Sequence, residues 1–509
     1  MALKRYTIIT SMRTRTIQDK KLLTIVITFS TIAILLLATS ILVIGFSLLL
    51  IGNLLPAAMT SGYLYTAWKK QHHHSLVSRD SQQGFIRHKS KGIKIPFVVV
   101  AILILPLIIT TAMSVTRSYP LYLVVASIML PWTFTYILFF LPMAIYHRFF
   151  IDKDTNNKMI TFIPVISIIV PAYNEQEGIH RTLDSLIQCD YPSKEIIVVD
   201  DGSSDLTYTI ASKYAFNTKN CKITVLRKPN GGKSSALNYG LRFAAGDIIV
   251  IVDADSAIER NALKEIAKEF QHPEVVAVAG TVNVLNPTNI LARLIAFETV
   301  TGQNLLRPAY SLLGSIMIIP GALGGFSKKR LFECGLYDKD TLTEDFDITV
   351  KVAKRGGKIV ATVPTSYTQV PTTLKGLYKQ RLRWYRGILQ TFLKHKDAMT
   401  IGSYGRVHQI GYPISLFLFL FPPFLDVLLI IFAALTIVEG FSIPFILPFT
   451  LYFGFQFLLS TIAIIMDYRD ERKLISCIPL YIFGYRQLID FFIIKSIFDI
   501  VLQKKNFTW

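Results

Sequence analysis

Cysteine is scarce and scattered. Cys189, Cys221, Cys334 and Cys477, the four in 509 residues, show neither paired nor metal-ligand spacing, so they read as reduced, ordinary residues. That argues against a disulfide framework and against a thiolate metal centre. Acidic charge is also short: 34 Asp and Glu face 54 Lys and Arg, a formal charge of +20. In a soluble protein this balance would suggest nucleic acid. Charge of either sign is thin, however, at 17% against 51% hydrophobic residues, and several long runs are nearly uncharged, as a bilayer requires. The basic excess then reads as cytoplasmic loops obeying the positive-inside rule, with no nucleic-acid partner. No internal repeat or low-complexity tract is evident. The apolar run from Leu22 to about Leu55 is far longer than a cleavable signal core.

What is there divides into three. Residues 1–150 are expected to hold about four transmembrane helices, from 22–67, 95–115 and 119–146, with the basic 69–94 loop on the cytoplasmic side. Residues 401–509 return to lipid, with crossings near 412–437 and 442–466. The last segment, 474–502, carries Arg486, Asp490, Lys495 and Asp499 and is expected to be partly interfacial or pore-facing. The prediction is an integral multi-pass protein of the cell membrane, in contact with membrane lipids, its middle region cytoplasmic. His72-His73-His74 in the basic loop reads as solvated, and the sequon at Asn506 as chance.

Residues 151–400 have the composition of a soluble α/β domain. "VISIIVPAYNE", "KEIIVVDDGSSD", "CKITVLRKPNGG" and "DIIVIVDADS" are short β-branched runs ending in polar or glycine residues, separated by helix-like stretches at 176–188, 205–215 and 232–245. Buried strands alternating with helices predict a parallel sheet. Ligands of such sheets sit outside the C-terminal strand ends, where Asn174-Glu175, Asp200-Asp201 and Asp253-Asp255 fall.

Each cluster has an ordinary reading beside a chemical one. Asp253 and Asp255 can meet a divalent cation and its phosphate ligand, or form a solvated turn and helix cap. Asp200 to Asp205 has the chemistry of a turn as well as of a site. Gly231-Gly232-Lys233 opens a helix in a way that suits an anion, without P-loop spacing. Glu344, Asp345 and Asp347 could merely cap a helix, or supply a general base. Three acidic clusters at successive strand ends converge on one cleft.

Taken in order, "PAYNE", "VVDDGSSD", "GGKSSALNYGL", "VDADS", "PGALGGF", "TEDFD" and "QRLRW" resemble the membrane-bound, processive family 2 glycosyltransferases: cellulose, hyaluronan, chitin-oligosaccharide and poly-β-1,6-N-acetylglucosamine synthases. The resemblance covers about 165–400 and is strongest to the last type. It implies a GT-A fold (a Rossmann-like nucleotide-diphospho-sugar transferase), a UDP-sugar donor and a divalent cation, Mg²⁺ or Mn²⁺. It implies that Tyr173, Glu175 and Asp200 hold the uridine, with Asp201 and Lys233 also on the donor. Asp253 and Asp255 would bind nucleotide and metal. Asp345 would be the base beside Glu344, and Gln380, Arg383 and Trp384 would clamp diphosphate and acceptor. The expected reaction is inverting transfer of a sugar, N-acetylglucosamine or glucose, to a growing β-linked polysaccharide that the same chain translocates, with room for a small accessory membrane subunit. The alternative is a non-processive enzyme adding one sugar to a lipid or lipid-linked acceptor.

The stretch around "QRLRW" is expected to be helical from Leu374 to Lys394. At 100° per residue, Leu374, Tyr378, Leu382, Tyr385, Leu389, Phe392 and Leu393 form an apolar stripe suited to a membrane interface. Gln380 and Arg383 lie opposite with Trp384 beside them. Arg381 flanks the stripe and is expected to snorkel to lipid phosphates.

Overall fold

The computed structural model describes residues 136–151, 163–217, 221–439, 443–467, 469 and 471–502, besides four isolated positions before residue 66. The crossings expected before residue 136, the three histidines and the sequon lie outside the described residues.

The strands are β1 (Ile166–Ala172), β2 (Lys194–Asp200), β3 (Phe216–Asn217), β4 (Cys221–Arg227), β5 (Ile248–Ile251), β6 (Ala257–Ile258), β7 (Val275–Val284), β8 (Gly324–Ser327) and β9 (Lys358–Thr368). They form one nine-stranded sheet in the order β3-β4-β2-β1-β5-β8-β7-β9-β6. β4, β2, β1 and β5 are parallel neighbours, whereas β8 runs antiparallel to both β5 and β7. The sheet is therefore mixed: the sequence pattern foresees β1, β2, β4 and β5, while β7 and β9, also parallel to each other, go beyond it.

Helices cover both faces because the strand residues are apolar on both. On one side Ile166, Ile168 and Val170 pack with Leu183 and Leu186 of α2 (Ile179–Gln188) and, past the short α3 (Thr207–Ser212), with Leu263 and Ile266 of α5 (Ala262–Glu269). On the other, Ile169, Val199 and Ile251 pack with Leu237 and Leu241 of α4 (Lys233–Leu241). Burying a Leu or Ile this fully contributes about 1.5–3 kcal/mol each. The consequence is a rigid platform whose strand tips open towards one edge.

The remaining helices frame that edge. α6 (Ile290–Leu312) begins at Asn289, whose side chain accepts from Ala292 N at 2.9 Å. α7 (Lys328–Glu333) follows β8, and α8 (Glu344–Lys354) starts at the acidic "TED". α9 (Leu374–Lys394) spans the helix expected around "QRLRW", its start capped by Thr373 on Gly376 N at 3.2 Å. Beyond it come α10 (Tyr412–Glu439), α11 (Ile443–Ile465) and α12 (Arg486–Val501). Ahead of the sheet lies an apolar helical segment, α1 (Tyr136–Ile151). Among the described residues, Val407–Phe424 and Arg472–Val501 are the stretches long and apolar enough to cross a membrane. Three of the four charges named in the last segment are paired: Arg486 meets Asp426 at 2.6 Å, and Asp499 meets Arg386 and, at 3.2 Å, Lys495. Buried Asp490 keeps one oxygen without a partner among the described residues.

Candidate active site

The loops leaving β1 and β2 brace one another. Asn174 takes a left-handed φ of 55° and accepts from Ser204 N at 2.9 Å, while Glu175 N donates to Thr207 Oγ1 at 2.7 Å. This leaves Tyr173 half exposed at the rim and points Glu175 at the acidic tip of β5. Burial, then the charges of Asp255 and Asp253, push Glu175 up to about 7.

The two adjacent aspartates part ways. Asp200 ends β2 fully buried, opposite Arg227 in register, and receives Arg227 Nε at 3.2 Å and Ser203 N at 3.3 Å. Its second oxygen has no partner among the described residues. The Arg227 guanidinium also lies 4.9 Å from the Tyr208 ring centre. Asp201 instead accepts from Lys228, from Gly231 N at 3.1 Å and from Gly232 N at 2.7 Å. Its oxygens hold the glycine loop that opens α4.

That loop delivers Lys233 to the centre. Its ammonium lies 2.6 Å from Asp253 Oδ1 and 2.8 Å from Glu344 Oε1, tying the tip of β5 to the start of α8. Burial opposes the charge, but these two carboxylates outweigh it and hold Lys233 well above its ordinary value. Gly321, from "PGALGGF", permits the close packing: a Cβ there would lie 2.8 Å from Lys233 Nζ and 3.1 Å from both Asp253 oxygens.

Asp255 is also pushed up, by burial and then by Asp253, and accepts from Ser256 Oγ at 3.0 Å. Asp345, one residue beyond Glu344, is raised to about 7 by burial and then by Glu344, with Lys233 opposing. It accepts from its own helix, Phe346 N at 2.8 Å. The third acid of the segment turns away: Asp347 meets His395 at 2.8 Å and Lys394 at 3.0 Å. Asp338, Asp340 and Asp347 gather as a group that could hold a metal ion, but the Lys394 ammonium bonds all three and already supplies a cation.

The "TED" segment is joined to α9 by a glycine. A Cβ on Gly387 would fall 2.6 Å from Thr343 Cγ2, and Gln390 Oε1 accepts Leu342 N at 3.0 Å. Gln380, Trp384 and Gly387 are spaced along one helix face, which at Gly387 packs on Thr343 just ahead of Glu344. Arg383 is exposed, and Gln380 Oε1 is buried without a partner among the described residues.

Two expectations about this helix are corrected. Arg381 does not snorkel to lipid. It is 6% exposed, ion-paired with Glu298 of α6, within 3.5 Å of Tyr485 Oη and 4.7 Å from the Trp384 ring centre. Tyr485 in turn donates to Glu298 at 2.9 Å. Nor does the apolar stripe face a membrane interface as a unit. Leu382, Tyr385, Leu389 and Phe392 are buried against neighbouring protein, Leu382 and Tyr385 with helices α6 and α12, whereas Leu374 and Leu393 at its ends are exposed. Sequence reasoning also passed over Arg227, Glu298 and Tyr485. Arg227 alone had a legible signal, a basic residue at the tip of the strand beside Asp200.

Residues 167–331 match the family described as glycosyl transferase family 2. The poly-β-1,6-N-acetyl-D-glucosamine synthase of Staphylococcus epidermidis RP62A is 29% identical over 353 residues, 65% of this chain and 82% of that protein. The synthase of the same name from Staphylococcus aureus COL is 32% identical over 231 residues, 45% of this chain and little more than half, 56%, of that one. A mannosyltransferase from Pyrobaculum calidifontis, solved with GDP-Man and Mn²⁺, superposes with a TM-score of 0.45 at 23% identity over 66% of this chain and 97% of that one, too distant to bear on substrate or metal. The sheet order, the acidic strand tips and the matched sequence together identify the chain as a glycosyltransferase whose catalytic domain, GT-A-like in its mixed sheet, belongs to family 2.

Proposed function

We propose that the chain is an inverting, processive synthase that moves a sugar, N-acetylglucosamine first and glucose next, from a UDP-sugar to the end of a β-linked polysaccharide at the cytoplasmic face of a membrane. The observation that carries the reading is the Lys233 bridge between Asp253 and Glu344, with Asp345 beside it and α9 seated against Thr343.

The charge balance accommodates a metal. Glu175, Asp253, Asp255, Glu344 and Asp345 share one cleft with the single ammonium of Lys233, and the upward shifts of Glu175 and Asp255 express that excess of negative charge. Asp253 and Asp255 would hold a divalent cation, Mg²⁺ or Mn²⁺, which when bound offsets charge on the leaving diphosphate. Tyr173 at the rim and Asp200 beneath it receive the uridine. Asp201 serves the donor indirectly, by fixing the loop that carries Lys233. Lys233, held by Glu344, and the exposed Arg383 face the diphosphate as positive partners. Trp384 offers its face to the acceptor sugar. Asp345 takes the proton of the acceptor hydroxyl as it attacks. One displacement needs no carboxylate nucleophile and inverts the anomeric centre.

The reading is tested with the full chain in lipid vesicles, given UDP-N-acetylglucosamine or UDP-glucose with each cation. A ladder of long chains, cut by linkage-specific hydrolases, is expected. A single lipid-linked sugar would replace the processive reading with the non-processive one.

A further inference from the structure

Away from the strand tips, a cavity of about 230 Å³ lies where β7, β9 and α6 meet the ends of the apolar segments Tyr136–Ile151 and α11. Arg148, Arg307 and Arg469 line it, against two carboxylates, Glu259 and Asp467. Asp467 is bound to Arg469 at 2.6 Å and to Asn304 at 3.0 Å. Arg307 bonds acceptors that carry no charge, the carbonyls of Ala279 and Gly280 and, at 2.9 Å, Gln303 Oε1. Burial brings Arg307 down to about 10, so it stays charged at neutral pH. The Nη1 of Arg469 is buried with no partner among the described residues. A buried, unsatisfied guanidinium N–H costs free energy unless something accepts from it. The cavity is distinct from the side of α6 that meets α9. Glu298, which clasps Arg381, and Arg307 are nine residues apart, half a rotation at 100° per residue, so they occupy opposite faces of that helix.

We propose that this cavity binds a phosphate group of net negative charge, seated between the Arg469 Nη1 and the Arg307 guanidinium. Its volume, against ~30 Å³ for a water, leaves ample room for a phosphate. The planar fork of arginine suits phosphate oxygens. The ligand could come from an anionic lipid headgroup, a source that rests on the membrane reading above, or from free phosphate.

The full chain is reconstituted in discs of phosphatidylcholine, or of phosphatidylcholine with phosphatidylglycerol, and melted with added inorganic phosphate or with chloride at equal ionic strength. Wild type should melt several degrees higher with phosphatidylglycerol if the source is lipid, or with phosphate if it is free. Arg469→Gln should lose most of the shift. Native mass spectrometry of the wild type, which needs no variant, should show about tenfold preferential retention of the stabilising anion, phosphatidylglycerol over phosphatidylcholine or phosphate over chloride. Absence of any anion-specific shift or retention in the wild type, or an equal shift in Arg469→Gln, overturns the site. Because neither readout uses sugar transfer, failure here leaves the proposed reaction standing.

Discussion

The strand-tip cleft and the helical clasp around α9 hold similar numbers of charges in opposite ways. In the clasp the arginines sit on partner carboxylates: Arg381 on Glu298, Arg486 on Asp426, and Arg386 on Asp499, which Lys495 shares. In the cleft five carboxylates share Lys233, and two of them, Glu175 and Asp345, are held near pH 7. Balanced buried pairs fix architecture, because removing either member strands the other. Unbalanced carboxylates store a demand for cations and protons, which suits the proposed uptake of a metal, a diphosphate and an acceptor proton.

The sharpest way to break this comparison is Asp345→Asn. Transfer should fall by about 10³-fold, within the span general base catalysis supplies, while metal-dependent UDP binding measured by calorimetry stays near wild type. Lost binding would instead make Asp345 structural. Next, the two arginines of "QRLRW" should separate the regions. Arg383→Ala, on the exposed face, should cut transfer about 10²-fold without moving the melting temperature. Arg381→Ala should destabilise the fold by about 3 kcal/mol, and the double change Arg381→Met with Glu298→Gln should recover most of it. Equal melting curves for the two single variants would erase the distinction.

A third probe is pH. The Asp345 carboxyl, raised to about 7, is protonated and unable to accept below that value and ionised above it. The transfer rate should therefore climb about tenfold per unit below pH 7 and level off above. A flat profile through that range would remove Asp345 as base. The smallest effect is expected from Gly321→Ala. The added methyl presses on Lys233 and Asp253, so donor affinity should weaken by about tenfold while melting barely changes.

The parts of this molecule legible in the sequence are those governed by local periodicity. Strands β1, β2, β4 and β5 announce themselves as apolar runs, and the acidic clusters after β1, β2 and β5 fall at their tips because a buried strand must end where polar residues begin. The span of α9 was legible for the same reason. What covers a helix face was not, since periodicity separates apolar from polar but cannot tell lipid from protein. Arg381 beside an apolar stripe satisfies both readings, and its partners, Glu298 and Tyr485, stand 83 and 104 residues away. Asp200 and Asp201 teach the same lesson at shorter range: adjacent and chemically identical, they face a neighbouring strand and a distant glycine loop. The group Asp338, Asp340 and Asp347 needed Lys394, likewise remote, to be seen as neutralised.

The most direct test of the central claim is the configuration of the first bond formed. A single displacement driven by Asp345 on an α-linked UDP-sugar must yield a β-linkage, read by the anomeric coupling in the proton spectrum of the earliest product. A β-anomer is the predicted result; an α-linked product would mean attack from the leaving-group face or through a second nucleophile, and would contradict the account.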